Sequence, residues 1–169
     1  QNADAQSSAA LVLPSVTGRF GGEVSLSMQV SFTEAAMQSA NIHLVYDPAM
    51  LDLERVARGP TAAEMMLAVN ELPVGEIRIG LAGSQPVSQG GTLLDITFTV
   101  IGATTSPILI VFQDAQIDEG VVNITSQNGS VTLIFAHADF DKDGDVDLED
   151  FQSFATCSKG PGIPHDGSP

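Results

Sequence analysis

Acidic residues recur at every other position of one short stretch, and this spacing is typical of a calcium-binding loop. Residues 139–150 read DFDKDGDVDLED, with a glycine at the sixth position. Calcium takes roughly six to eight oxygen ligands, and a loop of about twelve residues supplies them from fixed positions, with the glycine making a sharp turn. Those positions are filled by Asp139, Asp141, Asp143, Gly144, Asp145, Asp147 and Asp150.

The place of each residue in this loop predicts its role toward one calcium ion. Side-chain oxygens are expected from four aspartates, a backbone oxygen from Asp145 and a water-mediated contact from Asp147. The alternative is a solvated acidic turn, but a random acidic run would not place the glycine and the closing acid in register. The four side-chain ligands are Asp139, Asp141, Asp143 and Asp150.

The pattern DxDxDGxVDxxD, followed by a short helix, resembles a dockerin repeat of extracellular polysaccharide-degrading systems. Dockerins normally carry two such loops and only one is present here, which implies either a half-dockerin or a piece of a longer protein. Residues 137–160 form this segment in our division of the chain. Residues 161–169, rich in proline and glycine, resemble the linker between two repeats.

The expected helix after the loop carries an apolar stripe at three-to-four spacing, formed by Leu148, Phe151, Phe154 and Ala155. Gly160 is placed to end the helix. One helix cannot bury such a stripe alone. It must therefore pack on the rest of the chain, self-associate with another chain, or stay mobile.

Composition restricts the partners that the protein can have. The 169 residues carry a formal charge of −15 with six basic residues, which excludes nucleic-acid phosphates and anionic membranes as natural partners. No apolar run reaches transmembrane length, and no basic and apolar leader opens the chain, so we expect a secreted, extracellular or cell-surface protein whose signal peptide has been removed. The single Cys157 excludes an internal disulfide; it is either a small helix residue or paired with a cysteine elsewhere.

Short strands with period-two patterning fill the chain before the acidic loop. Residues 24–32 and 94–100 alternate strictly between apolar and polar side chains, and apolar residues also recur at every other position in 42–46 and 77–81. Eight or nine such strands predict a two-layer sandwich. Further predictions are an edge strand at residues 11–14, one or two helical turns at residues 62–69 after a Thr61–Glu64 capping box, a weak strand at 117–124 and a turn at Asn128–Gly129.

Four segments in this order resemble a cohesin module over residues 10–136: GEVSLSMQVSF, YDPAML, GGTLLDITFTV and GSVTL. The resemblance implies an all-β jelly-roll sandwich of about nine strands. It also implies a non-catalytic receptor for a dockerin-bearing protein, acting in scaffolding or adhesion within a secreted multi-modular protein. A cohesin followed by a dockerin-like loop is a coherent pair, so a cohesin-bearing partner is equally expected.

Cohesins bind through one flat sheet face, and the resemblance maps that face onto the strands around His43, Arg78 and residues 108–112. Strand parity turns five side chains outward there. Two of them are neighbouring aliphatics, which mark an interface if they are exposed. The alternative is that the apolar run 108–112 is covered on both faces, by a loop or by the tail helix. The five predicted partner-binding residues are His43, Val45, Arg78, Leu109 and Val111.

Two other functions compete with protein binding. A carbohydrate-binding module attached to a polysaccharide-degrading enzyme has a similar sandwich, but the chain has no tryptophan and one tyrosine on which sugars could stack. An enzyme is the weakest alternative: Asp47 and Asp52 could suggest paired carboxylates, but Asp47 more simply caps a turn. His43, His137 and His165 lack the paired spacing of a zinc site.

Overall fold

The computed structural model describes residues 7–158 as two β-sheets packed face to face, followed by one helix. The first sheet has five strands, in the spatial order β10 (Asn123–Gln127), β1 (Ser8–Val12), β3 (Glu23–Thr33), β8 (Gly91–Val100) and β5 (Leu51–Arg58). The second sheet has six, in the order β2 (Ser15–Gly18), β11 (Gly129–Leu133), β9 (Ile108–Ile117), β4 (Met37–Tyr46), β7 (Glu76–Val87) and β6 (Met66–Glu71). Two 3-10 turns, Pro60–Ala62 and Asp118–Gly120, and the helix α1 (Leu148–Ser158) complete it.

Alternating side chains hold the two sheets together, as the sequence predicts for a sandwich. Along β3 the apolar positions are buried while their polar neighbours face outward. Inward side chains of both sheets meet in one core, in which the Tyr46 and Phe98 rings lie edge to face with centroids 5.0 Å apart. The predicted all-β sandwich is therefore confirmed, with eleven strands in the described residues where about nine were expected.

Two of the points at which the chain passes from one sheet to the other differ from the prediction. Proline 14 separates β1 in the first sheet from β2 in the second, so β1 lies between β10 and β3 and is not an edge strand. Asn128–Gly129 likewise joins β10 to β11 in the other sheet, so it does not close a hairpin. Gly129 is required there because a Cβ would lie 2.7 Å from the Leu13 Cβ, where the two crossings pack together.

The prediction of helical turns at residues 62–69 is wrong, except for a single 3-10 turn near its start. A 3-10 turn spans Pro60–Ala62 without a side-chain cap, and the chain then enters β6, which pairs with β7. The Arg58 guanidinium donates hydrogen bonds to the carbonyls of Ala63 and Met65 and holds this corner in place. Pairing with β7 along one edge holds β6 as a strand, so tertiary context overrides local helix propensity.

The strand expected at residues 108–112 is the first half of the longer β9, and it is not covered on both faces. Its outward Leu109 is 56% exposed. The weak strand expected at 117–124 is also wrong, since Ile117 ends β9 and a 3-10 turn follows before β10 begins. Gly160 and the linker at 161–169 lie outside the described residues. No helix among residues 7–158 is long and apolar enough to cross a membrane.

Candidate docking face and metal-binding loop

Strand register brings the five predicted partner-binding residues onto the outward face of the six-stranded sheet. His43 on β4 lies opposite Arg78 on β7, and Val45 lies opposite Val111 on β9. Leu109 follows on β9, opposite Ser130 on β11. The outward positions are as predicted from parity, whereas their role in binding a partner stays a prediction.

Two of these residues are joined by a carboxylate that the sequence analysis missed. Glu76 Oε2 accepts a hydrogen bond from Arg78 Nη2 at 3.3 Å and lies 3.0 Å from His43 Nε2. His43 therefore keeps only 18% of its side-chain surface exposed, while Arg78 projects into solvent. Only the pairing of β4 with β7 reveals this contact, because Glu76 and His43 are distant in sequence.

A shallow recess of about 320 Å³ opens beside this charged group. Its floor lies where β6 and β7 carry short side chains, at Ala68 and Gly80. Its polar walls include Asn41, Asn70 and Asp114. From sequence, only Gly80 was expected to leave room for close approach on this face; the other residues were missed, since short and polar side chains on a strand carry no signal without the register of the neighbouring strands.

On the other side of the charged group the face is aliphatic. Val45 and Val111 are half-buried side by side, and Leu109 is the most exposed of the three predicted aliphatic residues. The alternative, in which a loop or the tail helix covers Leu109, is not what the described residues show. The face thus combines a polar recess with an apolar row.

The acidic loop is organised by its own carboxylates. Asp147 Oδ1 accepts a hydrogen bond from the Glu149 N–H at 2.7 Å and caps helix α1. In return Asp150 Oδ2 accepts from the Asp147 N–H at 2.8 Å, and its other oxygen accepts from the Phe140 N–H. These backbone donors, the Asp147 N–H first, lower the pKa of Asp150 below its usual value.

The predicted metal-ligating residues gather into two groups of three, in each of which one carboxylate oxygen per residue lies within 4.8 Å of the others. The proximity of these like charges affects the pKa of a carboxyl group in the loop. The neighbouring Asp143 carboxylate is the largest cause of a raised pKa at Asp145. The groups are Asp139, Asp141 and Asp143, and Asp145, Asp147 and Asp150.

One buried oxygen indicates that this loop fits a cation. Asp139 is only 5% exposed, and its Oδ1 is buried with no hydrogen-bond partner. A buried carboxylate oxygen without a partner is costly, and a metal ion offsets that cost directly. An all-oxygen set of carboxylates suits a hard cation such as Ca²⁺. The acidic segment can therefore bind a metal ion.

The loop contacts the sandwich through a phenylalanine that sequence reasoning missed. Gly144 has φ of +108°, a conformation that favours glycine. A Cβ at this position would also lie 2.7 Å from the Phe20 Cβ, in the turn between β2 and β3. Both the backbone conformation and the contact with Phe20 therefore favour glycine at position 144.

The apolar stripe of helix α1 has few partners among the described residues. The rings of Phe140 and Phe154 pack with centroids 5.3 Å apart, but Leu148 and Phe151 are largely exposed. Self-association through this stripe stays a prediction. Cys157 is exposed and free.

Two of the residues weighed for catalysis or sugar stacking, Asp47 and Tyr46, have structural roles. Asp47 Oδ1 accepts from the Ala49 N–H at 2.9 Å and caps the turn, as the simpler interpretation predicted. Tyr46 is 4% exposed and its hydroxyl donates to Glu71, so the one tyrosine offers no stacking surface. His137 borders the apolar tail segment, and His165 lies outside the described residues.

Comparison with known proteins gives a family and a fold. The family described as "Cohesin domain" matches residues 9–138. No curated protein shows significant similarity to the chain.

Several solved cohesin structures share this fold at low identity. A non-cellulosomal cohesin from the hyperthermophilic archaeon Archaeoglobus fulgidus is 18% identical, with a TM-score of 0.65, covering 75% of this chain and 91% of that one. The sixth cohesin of Acetivibrio cellulolyticus scaffoldin B, solved with a Cel5 dockerin, is 17% identical, with a TM-score of 0.67 and coverages of 75% and 99%. The OlpC cohesin of Clostridium thermocellum, solved with a dockerin, is 18% identical, with a TM-score of 0.65 and coverages of 79% and 97%.

Proposed function

This chain belongs to the cohesin family, and from that membership we propose that it binds a dockerin-bearing protein through the outward face of its six-stranded sheet. Cohesin modules are non-catalytic binding modules, and relatives of the same fold have been crystallised with dockerins. The observation that carries the proposal is the family match, which spans the whole sandwich.

The surface of the sheet supports this choice of face. Val45, Val111 and Leu109 form an aliphatic row on a sheet that no other described element covers. Exposed apolar side chains rimmed by polar ones are typical of protein interfaces. The charged and polar residues around His43 and Arg78 provide such a rim.

We further propose that the tail binds one calcium ion as a dockerin-like repeat. Asp139, Asp141, Asp143 and Asp150 would supply side-chain oxygens, Asp145 a backbone oxygen and Asp147 a contact through water. The unpartnered oxygen of Asp139 supports this assignment. Calcium would order the loop and fix the start of helix α1, so that a secreted scaffolding or adhesion protein could present the tail to a cohesin-bearing partner.

The function is tested by offering the purified chain, with calcium, to a panel of immobilised dockerins and to a glycan array. We expect saturable binding to at least one dockerin and none to the glycans. Glycan binding without dockerin binding would contradict the proposal and favour the carbohydrate-binding alternative, against which the burial of the single tyrosine, Tyr46, argues.

A further inference from the structure

The recess on the outward face lies where β7 has a glycine at a position whose backbone conformation would allow a side chain. Gly80 lies in the middle of β7, where glycine weakens a strand and often marks close approach by a ligand or another chain. Its φ is not positive, and an added Cβ would meet nothing closer than 3.9 Å, at Ala68 and Asn41. The fold therefore does not require glycine at this position, and the open space serves the surface.

Two rows of residues, fixed by strand register, form this recess. Gly80 lies opposite Ala68 on β6 and Asn41 on β4, which gives a row of short or narrow side chains. The neighbouring row runs from Asn70 through Arg78 and His43 to Asp114 on β9. The recess is thus an open slot with a polar wall and a carboxylate at one end.

The polar wall carries one carboxylate, Asp114, that has no ion-pair partner among residues 7–158. The Arg78 guanidinium is already paired with the Glu76 carboxylate, which His43 Nε2 also approaches. The Asp114 carboxylate has only the side-chain amide of Gln116, at 3.4 Å. No lysine, arginine or histidine among residues 7–158 lies within ion-pair distance of Asp114. The chain as a whole adds to the negative potential, with a net charge of −15.

We propose that this recess receives a lysine or arginine side chain of the docked protein, whose cation pairs with Asp114 while its aliphatic stem lies over Gly80 and Ala68. The inference rests on the proposed function and names the chemistry of the partner at one position. An apolar side chain there would exclude water from the exposed Asp114 carboxylate without replacing its hydrogen bonds, which is costly, and a neutral donor would replace a hydrogen bond but leave the charge unpaired. A long basic side chain both fills the slot and supplies the missing charge.

The test uses the full chain and a display library built on a dockerin scaffold, with the exposed positions of its helices randomised. Binders are selected on the wild-type chain in calcium and then measured on Asp114→Asn and Gly80→Val, the second of which fills the recess. Asp52→Asn and Ser31→Val, at exposed positions of the five-stranded sheet, are matched controls. Thermal unfolding establishes that each variant is folded.

We expect one library position to be enriched in lysine or arginine. Affinity should fall about tenfold or more on Asp114→Asn and on Gly80→Val, with no change on the two controls. Binders that lose affinity on Val45→Asp but show no basic enrichment and no loss on Asp114→Asn would overturn the recess and leave the proposed function standing. Binders indifferent to every change on this sheet, or no binders, would contradict the proposed function itself.

Discussion

At the scale of single residues, the acidic loop combines folding and metal chemistry in the same carboxylates. Asp150 accepts hydrogen bonds from the backbone N–H groups of Asp147 and Phe140 before helix α1, and it is also the proposed closing ligand of the loop. Asp139 differs from Asp150, because its buried Oδ1 accepts no hydrogen bond from the described residues. These two residues should therefore respond differently to substitution.

We expect Asp139→Ala to abolish measurable calcium binding with little effect on the helix, since it removes only a ligand. Asp150→Ala should weaken calcium binding and also lower the helical signal, because it removes the carboxylate that accepts from the N–H of the capping residue Asp147. Calorimetric titration with calcium measures the first effect and circular dichroism the second. Glu149→Ala, at an exposed neighbour outside the ligand set, is the control. Unchanged calcium affinity in both aspartate variants would refute the site.

Tyr46 gives a second prediction at this scale. Burial, followed by the Glu71 carboxylate, raises the pKa of Tyr46 above its ordinary value of about 10. A phenol with a raised pKa in the folded state stabilises the fold below its unfolded pKa, and this contribution is lost as pH rises above about 10. Because Tyr46 is the only tyrosine, tyrosinate absorbance reports it directly.

In an alkaline titration, we expect tyrosinate to form only together with unfolding. The stability of Tyr46→Phe should fall less over the same pH range, and wild type and variant should converge at the alkaline end. Formation of tyrosinate near pH 10 while the chain is still folded would show that burial and Glu71 do not raise the pKa of Tyr46.

At the scale of elements, strands with strict alternation were predictable and those without it were not. β3 reads apolar and polar in turn and was found with nearly its full length. β6 mixes both classes and follows a segment that resembles a capped helix, so only its pairing with β7 identifies it. Short β2 becomes a strand only because β11 lies beside it in parallel.

The candidate site follows the same division. Parity placed His43, Val45 and Arg78 outward, because parity is local to one strand. Glu76, Asp114 and Gly80 gain their meaning from neighbours on other strands, and sequence does not give the register between β4, β7 and β9. The clustering of the acidic residues was predictable because they lie within one short segment, whereas the role of each one toward calcium stays a prediction.

At the scale of the whole molecule, the sandwich and the tail depend on different forces. The sandwich buries an apolar core drawn from both sheets, whereas the loop holds together through carboxylates and one contact with Phe20. We therefore expect EDTA to leave the cooperative thermal unfolding of the sandwich unchanged while the tail loses helical signal. Loss of the whole unfolding transition on chelation would show that the two parts fold as one unit.

The central claim is that a dockerin docks on the outward face of the six-stranded sheet, and charge insertion into the aliphatic row tests it most directly. The affinity of a bound dockerin is measured for Val45→Asp and Val111→Asp, with Val12→Asp, a half-buried valine of the five-stranded sheet, as the matched control. We expect each of the first two to weaken binding by about tenfold or more, with the fold intact, and the control to bind like wild type. Full binding by both folded variants would contradict the claim.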